Sequence, residues 1–531
     1  MGEFLNPNNV PYKRAKNSEI YVDKTGLLKT LNKRVNTMNN RICSTRPRRF
    51  GKSMAIDMIA AYYNLGEDSK ELFSGSQIEE DVTFEKYLNQ YDVLKLDIVV
   101  MCGRVQETQQ LIAYMHQAIV KELKEVYGEY IQDTSIMIES ALLDIHLATG
   151  KQFIILIDEW DAIFRIYKND DGIQREYIEF LRSIFKGSSA DRFVALAYIT
   201  GILPIKKYGT QSAMNNFDEF TMINPRILKE YIGFTEEEVR SLCKQYNMDL
   251  DVVKQWYDGY KFRGMHIYSP KSIVDAMIYG EYASYWSQTE TFEILRDYIT
   301  MNFDGLKDNV IKMLAGEHVD VHTGTFTNDV VSFASRDDVL TALIHLGYLA
   351  YDEEECQVYI PNKEVRSEFE NAVRSASWNG VVRAIEQSKK LLRDTWNGNE
   401  NAVADALERI HLENVSILSY NDENSLSLVI ALAYFSAKDE YITIRELPSG
   451  KGFADVVFLP RKHSDKPAIV VELKCNSNAE GAIAQIHNRQ YVNVLAEYTG
   501  DILLVGINYN KDASNDNYKH HTCIIERWTK E

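Results

Sequence analysis

The sequence predicts an α/β protein. It has a mostly parallel sheet wrapped by helices, then a helical and winged-helix-like middle region, then a small C-terminal α/β domain. Three observations carry this reading. First, the apolar, β-branched runs "DVLKLDIVV" (92–100), "QFIILIDEWD" (152–161) and "RFVALAYITG" (192–201) alternate with helical segments, the order of a parallel sheet covered on both faces. Second, "SRDDVLTALIHLGYLAYDEEECQVYIPNKEVRSEFENAV" reads as helix, hairpin, helix. Third, beyond about residue 400, "YITIRELPSGKGFADVVFLP" and "PAIVVELKC" give new strands before a helix from about 478.

In chain order, residues 1–40 read as a leader and a helix, "TGLLKTLNKRVNTM", with Thr25 as its N-cap. "RICS" is a short strand that feeds "RPRRFGKS" (46–53), and "MAIDMIAAYYN" then repeats its apolar residues at helical spacing. From about 234 the pattern turns helical with "TEEEVRSLCKQY". The aromatic, turn-rich "WYDGYKFRGMHIYSP" (256–270) follows; clustered Trp and Tyr of this kind fill a core seam more often than they stack on bases. These changes of pattern place domain boundaries at 1–233, 234–395 and 396–531.

Composition narrows the class. The 531 residues are 45% hydrophobic and 26% charged, the balance of an ordinary globular chain. The six cysteines form no C-x-x-C pair and no zinc-spaced cluster, which fits a reducing, cytoplasmic setting. No apolar run approaches the roughly 18 residues of a membrane span, and the first residues lack the apolar core of a signal peptide, so the expectation is a soluble protein without membrane contact. A formal charge of −18 repels phosphates at long range, so any nucleic-acid contact must be local.

The stretch "RPRRFGKS" ends in Gly51-Lys52-Ser53, as a phosphate-binding loop does, but Arg46 stands where G-x-x-x-x-G-K-[ST] opens with glycine. Such loops aim successive N–H groups and a helix N-terminus at phosphates. Arg49, Phe50, Gly51, Lys52 and Ser53 are the candidate nucleotide-binding residues, with Lys52 for the outer phosphates and Ser53 for Mg²⁺. Taken alone the motif is compatible with a basic turn before a helix. A second element argues otherwise: "FIILIDEWD" is an apolar strand ending in Asp158-Glu159, where Asp158 can hold the Mg²⁺ shell and Glu159 can polarise a water. Thr200, at the end of "RFVALAYITG", is a candidate γ-phosphate sensor or a plain strand terminus.

The C-terminal stretch carries separate chemistry. "FADVVF" puts Asp455 on one strand and "VVELKC" puts Glu472 and Lys474 on another, where residues i and i+2 share a face. Two carboxylates about 4 Å apart repel by roughly 4 kcal/mol at an effective dielectric near 20, which calls for a proton or a cation, and hard oxygen ligands favour Mg²⁺ or Mn²⁺. Lys474 is placed to position or deprotonate a water. Glu423 is a further candidate carboxylate and Gln485 lies one helix later. Each residue also has a plain structural reading, as a strand cap, a cross-face ion pair or a solvated helix residue; the ordered set on one frame argues for a site.

Together "YVDKTGLL", "RPRRFGKSM", "LIDEWD", "YITGILPI" and "WYDGYKF" resemble the AAA-ATPase-like proteins of bacteria and archaea that carry a C-terminal PD-(D/E)XK nuclease-like domain. The likeness runs from about residue 4 to beyond 490. It implies a P-loop ATPase core in which Arg-Pro-Arg-Arg-Phe-Gly-Lys-Ser is the usual loop, and a restriction-endonuclease-like domain with the order Glu, Asp, Glu-x-Lys, Gln. Ala454 stands where that pattern has proline, a position that supplies no ligand. The expected function is ATP binding or hydrolysis that regulates metal-dependent cleavage of nucleic acid, DNA foremost, in a chain that can assemble with its own copies. The alternatives are an ATP-switched binding protein that does not cut, and a small-molecule kinase, which leaves the last domain unused.

Overall fold

The computed structural model describes residues 2–132, 137–205, 207–208, 211–212, 214–286, 290–301, 303–327, 333–376, 378–414, 429–449, 452–461, 464–488, 500–510 and 520–528. The chain divides into two compact units, Met1–Thr291 with Asp320–Val365 and Phe292–Val319 with Arg366–Glu531.

The first unit is built on five strands: β1 (Arg41–Thr45), β2 (Asp92–Asp97), β3 (Phe153–Asp158), β4 (Val194–Gly201) and β5 (Asp218–Phe220). Their spatial order is β2-β3-β4-β1-β5 and every pairing is parallel. All residues of β1, β3 and β4 are buried, which is why they read as unbroken apolar runs without alternation. On one face Leu94, Leu96, Ile155 and Ile157 join the core of helices Leu111–Tyr127, Ile138–Thr149 and Asp171–Phe185. Helix α1 (Lys52–Tyr63) packs against β3 and β4. Because β4 separates β1 from β3, the loop leaving β1 and the acids ending β3 flank Thr200 and Gly201 at the carboxyl end of the sheet.

Gly201 shows how tight this end is. A methyl group there would overlap Asp161 Oδ1 and lie 2.7 Å from Trp160 Cδ1. Gly201→Ala is expected to destabilise the protein by about 1–3 kcal/mol, read as a lower midpoint in chemical denaturation.

The early helix is shorter than its sequence suggests. It spans Gly26–Asn32, and the chain then turns, with Asn36 at a left-handed φ of 57°. Thr25 precedes it without a side-chain capping bond; its hydroxyl accepts instead from the Ile78 amide at 3.1 Å. Helix Glu236–Tyr246 starts on a capping box of Thr235 and Glu238. The aromatic stretch forms an antiparallel hairpin, Tyr260–Phe262 with Met265–Tyr268, and Tyr257, Tyr260 and Tyr268 are buried in packing. Helix Arg336–Leu346, strands Ala350–Asp352 and Gln357–Tyr359, and helix Lys363–Ser375 follow the helix, hairpin, helix order.

The second unit holds β6 (Tyr441–Ser449), β7 (Gly452–Pro460), β8 (Ala468–Cys475), β9 (Ile502–Tyr509) and β10 (His521–Trp528), which pair in chain order. Only β8 and β9 run parallel among these pairings, and helix α2 (Ala479–Asn488) lies between them in the chain, as a parallel crossover requires. Val457, Val470 and Leu504 form a core with Ile483 and Ile486 of α2. Among the described residues no helix is long and apolar enough to cross a membrane.

Candidate functional site

A cavity of about 710 Å³ opens in the first unit, and Arg49, Phe50, Gly51, Lys52, Ser53, Asp158 and Glu159 all line it. Gly51 has φ 89°, a conformation glycine adopts without strain, and α1 starts at the next residue. The first amides of α1 are therefore helix-end donors at the cavity wall, suited to an anion. Lys52 is buried; its Nζ donates to the Pro47 carbonyl at 3.1 Å and lies 3.6 Å from Glu159 Oε1. Burial lowers the Lys52 pKa from the ordinary lysine value, with Glu159 and Asp158 opposing that shift. Phe50 packs edge-on to Tyr260 with ring centroids 5.5 Å apart, and Arg49 Nη1 donates to the Tyr285 carbonyl.

Asp158 and Glu159 sit at the turn after β3. The Ser53 hydroxyl lies near the Asp158 carboxylate and favours its charged form, and that carboxylate accepts from the Glu159 amide at 2.9 Å. Glu159 has a left-handed φ of 49°, costly for a side-chain-bearing residue and held by its surroundings. Its carboxylate pairs with Arg165, whose Nε reaches Asp161 Oδ2 at 3.2 Å; Asp161 Oδ2 in turn accepts from the amides of Ile202 (3.2 Å) and Leu203 (3.0 Å). Asp161 and Arg165 escaped the sequence reading. Their only signal was an acid and a base four residues apart at the start of a helix.

Thr200 stands apart. It is buried, its hydroxyl donates to the Ser44 carbonyl at 2.7 Å, and it does not line the cavity. Parallel pairing of β1 with β4 sets that bond, which a strand pattern alone does not reveal.

Burial pushes the Asp158 carboxyl up to about 6, with Glu159 adding to the shift and Ser53 and Lys52 opposing it. A raised carboxyl pKa means that the folded protein holds this proton more tightly than the unfolded chain, so its contribution to stability is present at low pH and lost as pH rises from about 4 through about 6. Without nucleotide or metal, Asp158→Asn is expected to be more stable than the parent at pH 7.5 by about 1–3 kcal/mol, the gap closing below pH ~4.5. Urea denaturation across this range measures it.

In the second unit, Val457 and Val470 face α2, so by alternation Asp455 on β7 and Glu472 and Lys474 on β8 face it too. The β7–β8 register runs to Val456↔Val471; one further step sets Asp455 opposite Glu472. Asp455 Oδ2 accepts from the Leu473 amide at 2.6 Å. Glu472 is 1% exposed, and its Oε1 accepts from Lys474 Nζ at 3.4 Å and from the Gln485 side-chain amide of α2. Asp455, Glu472, Lys474 and Gln485 are thus brought together, while Glu423 lies outside the described residues. Asn508, overlooked in the sequence, lies beside Lys474 across β8–β9 and accepts from the Ser477 amide at 3.0 Å, tying down the loop that leads to α2. Among the described residues no group of three or more His, Cys, Asp or Glu is placed to hold a metal; two carboxylates with a lysine and an amide form the oxygen-rich set present.

Comparison with known proteins gives two family matches. The family described as predicted AAA-ATPase matches residues 12–210, and the PD-(D/E)XK nuclease superfamily matches residues 422–519. A curated relative from Azotobacter chroococcum mcd 1, "Uncharacterized protein in vnfD 5'region", is 26% identical over 296 residues, which cover 53% of this chain and 52% of the relative. The chain therefore spans about half the length of that relative. A solved structure of the Aeropyrum pernix ORC2 protein in ADPNP–ADP complexes matches at 11% identity and a TM-score of 0.29, over 70% of this chain and 99% of that one.

Proposed function

We propose, for a chain that joins an AAA-ATPase-like domain to a PD-(D/E)XK nuclease-like domain, that ATP bound by the first regulates metal-dependent phosphodiester cleavage of nucleic acid by the second. The α/β fold supplies a P-loop ATPase core on a parallel sheet, a helical and winged-helix-like region, and a small restriction-endonuclease-like domain. The division at 1–233, 234–395 and 396–531, DNA as the nucleic acid, a cytoplasmic setting without membrane contact, and assembly with further copies belong to the same proposal.

The convergence of Asp455, Glu472, Lys474 and Gln485 on one face of a sheet is the observation that carries it. Asp455 and Glu472 would hold Mg²⁺ or Mn²⁺, which when bound supplies charge neutralisation at a phosphodiester. Lys474 holds a proton donor beside Glu472 and would orient the attacking water. Gln485 fixes the Glu472 rotamer through its amide. In the first unit Lys52 and the α1 amides would hold the outer phosphates, Ser53 and Asp158 the Mg²⁺, and Glu159 the hydrolytic water. For Lys52 to reach phosphate it must leave Glu159 and the Pro47 carbonyl, so binding exchanges one set of partners for another.

A second reading, an ATP-switched protein whose nuclease-like domain grips nucleic acid or protein without cutting, draws on the engagement of Glu472 Oε1 by both Lys474 and Gln485. Cleavage of labelled single- and double-stranded DNA and RNA with Mg²⁺ or Mn²⁺, with and without ATP, separates the two. Parent, Glu472→Ala and Lys52→Ala proteins are compared. Cleavage lost in Glu472→Ala supports the first reading; cleavage unchanged in Glu472→Ala refutes it, and binding without cleavage by the parent supports the second.

A further inference from the structure

Arg46 is fully buried at the root of the phosphate loop. Its amide donates to the Gly201 carbonyl at 3.0 Å, and its Nη1 donates to the carbonyls of Thr45 (2.8 Å) and Phe220 (3.3 Å). One residue thus links the carboxyl ends of β4, β1 and β5. Its guanidinium lies 5.3 Å from the ring centroid of Phe262 in the aromatic hairpin, a cation–π distance. Nε and Nη2 have no hydrogen-bond partner among the described residues, and Tyr198 nearby favours the charged form against the burial.

Burial lowers the Arg46 pKa only to about 10, so the side chain remains a cation at neutral pH. Carbonyl dipoles and one aromatic face offset part of the cost of taking such a charge out of water. Arg46 itself does not line the cavity, but the loop it roots does from Arg48 to Ser53, so an anion held on that loop would offset the remainder.

We propose that Arg46 is a positioning residue of the nucleotide site: it ties the start of the phosphate loop to three strand ends and to the aromatic hairpin, and its buried charge is balanced by the triphosphate held on that loop. The inference rests on reading this cavity as a nucleotide site. It predicts that the charge contributes to nucleotide affinity more than to the stability of the nucleotide-free protein, which a purely structural tether would not do.

Thermal melting and equilibrium titration of the full chain with Mg-ATP test it, using the parent, Arg46→Met, Arg46→Lys and Lys52→Ala. Without nucleotide, Arg46→Met is expected to melt within about 2 °C of the parent or above it. Its Mg-ATP-induced rise in melting temperature is expected to fall below half the parent's, with a dissociation constant roughly tenfold higher. Arg46→Lys, which keeps the charge, is expected to retain most of the rise. Arg46→Met that melts well below the parent yet keeps the full Mg-ATP-induced rise overturns the proposal, leaving a tether only. If Arg46→Met does not fold, Arg46→Lys decides: a folded Arg46→Lys that has lost the rise is the overturning result. A parent with no rise, indistinguishable from Lys52→Ala, removes the nucleotide reading itself.

Discussion

Glu472→Ala is expected to lower metal-dependent cleavage by about a thousandfold or more, equivalent to ~4 kcal/mol of transition-state stabilisation. Two physical facts set the size. The carboxylate is buried, so its charge acts in a medium where electrostatic interactions exceed those in water. It is also the point where Lys474 and Gln485 meet, so its removal leaves that lysine and the α2 amide without a common acceptor. Folding should survive: removing one of two facing acids relieves repulsion when no cation is bound. Glu472→Gln keeps the shape and removes the charge, and is expected to match the alanine variant in cleavage while melting no lower than the parent. Gel-based cleavage rates with calorimetric melting check both claims. Equal loss of cleavage and of melting temperature would assign Glu472 a packing role.

Lys52→Ala is expected to reduce ATP turnover by about 10²- to 10³-fold, the usual result of deleting one charged donor from a preorganised anion site. The lysine emerges at the first position of α1, directly after the left-handed Gly51, and lines the cavity there. Glu159 keeps Arg165 as partner when Lys52 is gone, so the turn after β3 should hold its shape. Measured phosphate release, with cleavage assayed in parallel, gives the coupling: if ATP no longer alters cleavage in this variant, the N-terminal site governs the C-terminal one. If cleavage by Lys52→Ala still responds fully to ATP, regulation through this site is refuted.

Much of both sites was legible in the sequence because it rests on local rules. Gly51-Lys52-Ser53 declares a loop followed by a helix, and Glu472-x-Lys474 shares a face by strand alternation. The convergence of Asp455 with Glu472 needed the register of β7 on β8, which an apolar run such as "AIVV" ahead of Glu472 does not specify. The two readings of Thr200, sensor or plain strand terminus, stayed open in the sequence for the same reason: whether a strand-end hydroxyl faces a cavity or a neighbouring carbonyl is decided by the partner strand. Arg46 was visible as a departure from the glycine pattern, but its burial came from Phe220 and Phe262, far off in the chain. The early helix ended sooner than its composition suggested because a left-handed turn at Asn36 outweighs propensity in the residues before it.

Asp161 has a practical consequence. Because one of its oxygens holds the Ile202 and Leu203 amides while also meeting Arg165, the acidic turn is stitched to the chain as it leaves the sheet. Those two amide protons should therefore exchange slowly with deuterium, and quicken whenever Arg165 is drawn elsewhere. They serve as built-in reporters of the state of Glu159, readable by mass spectrometry on unlabelled, unmodified protein.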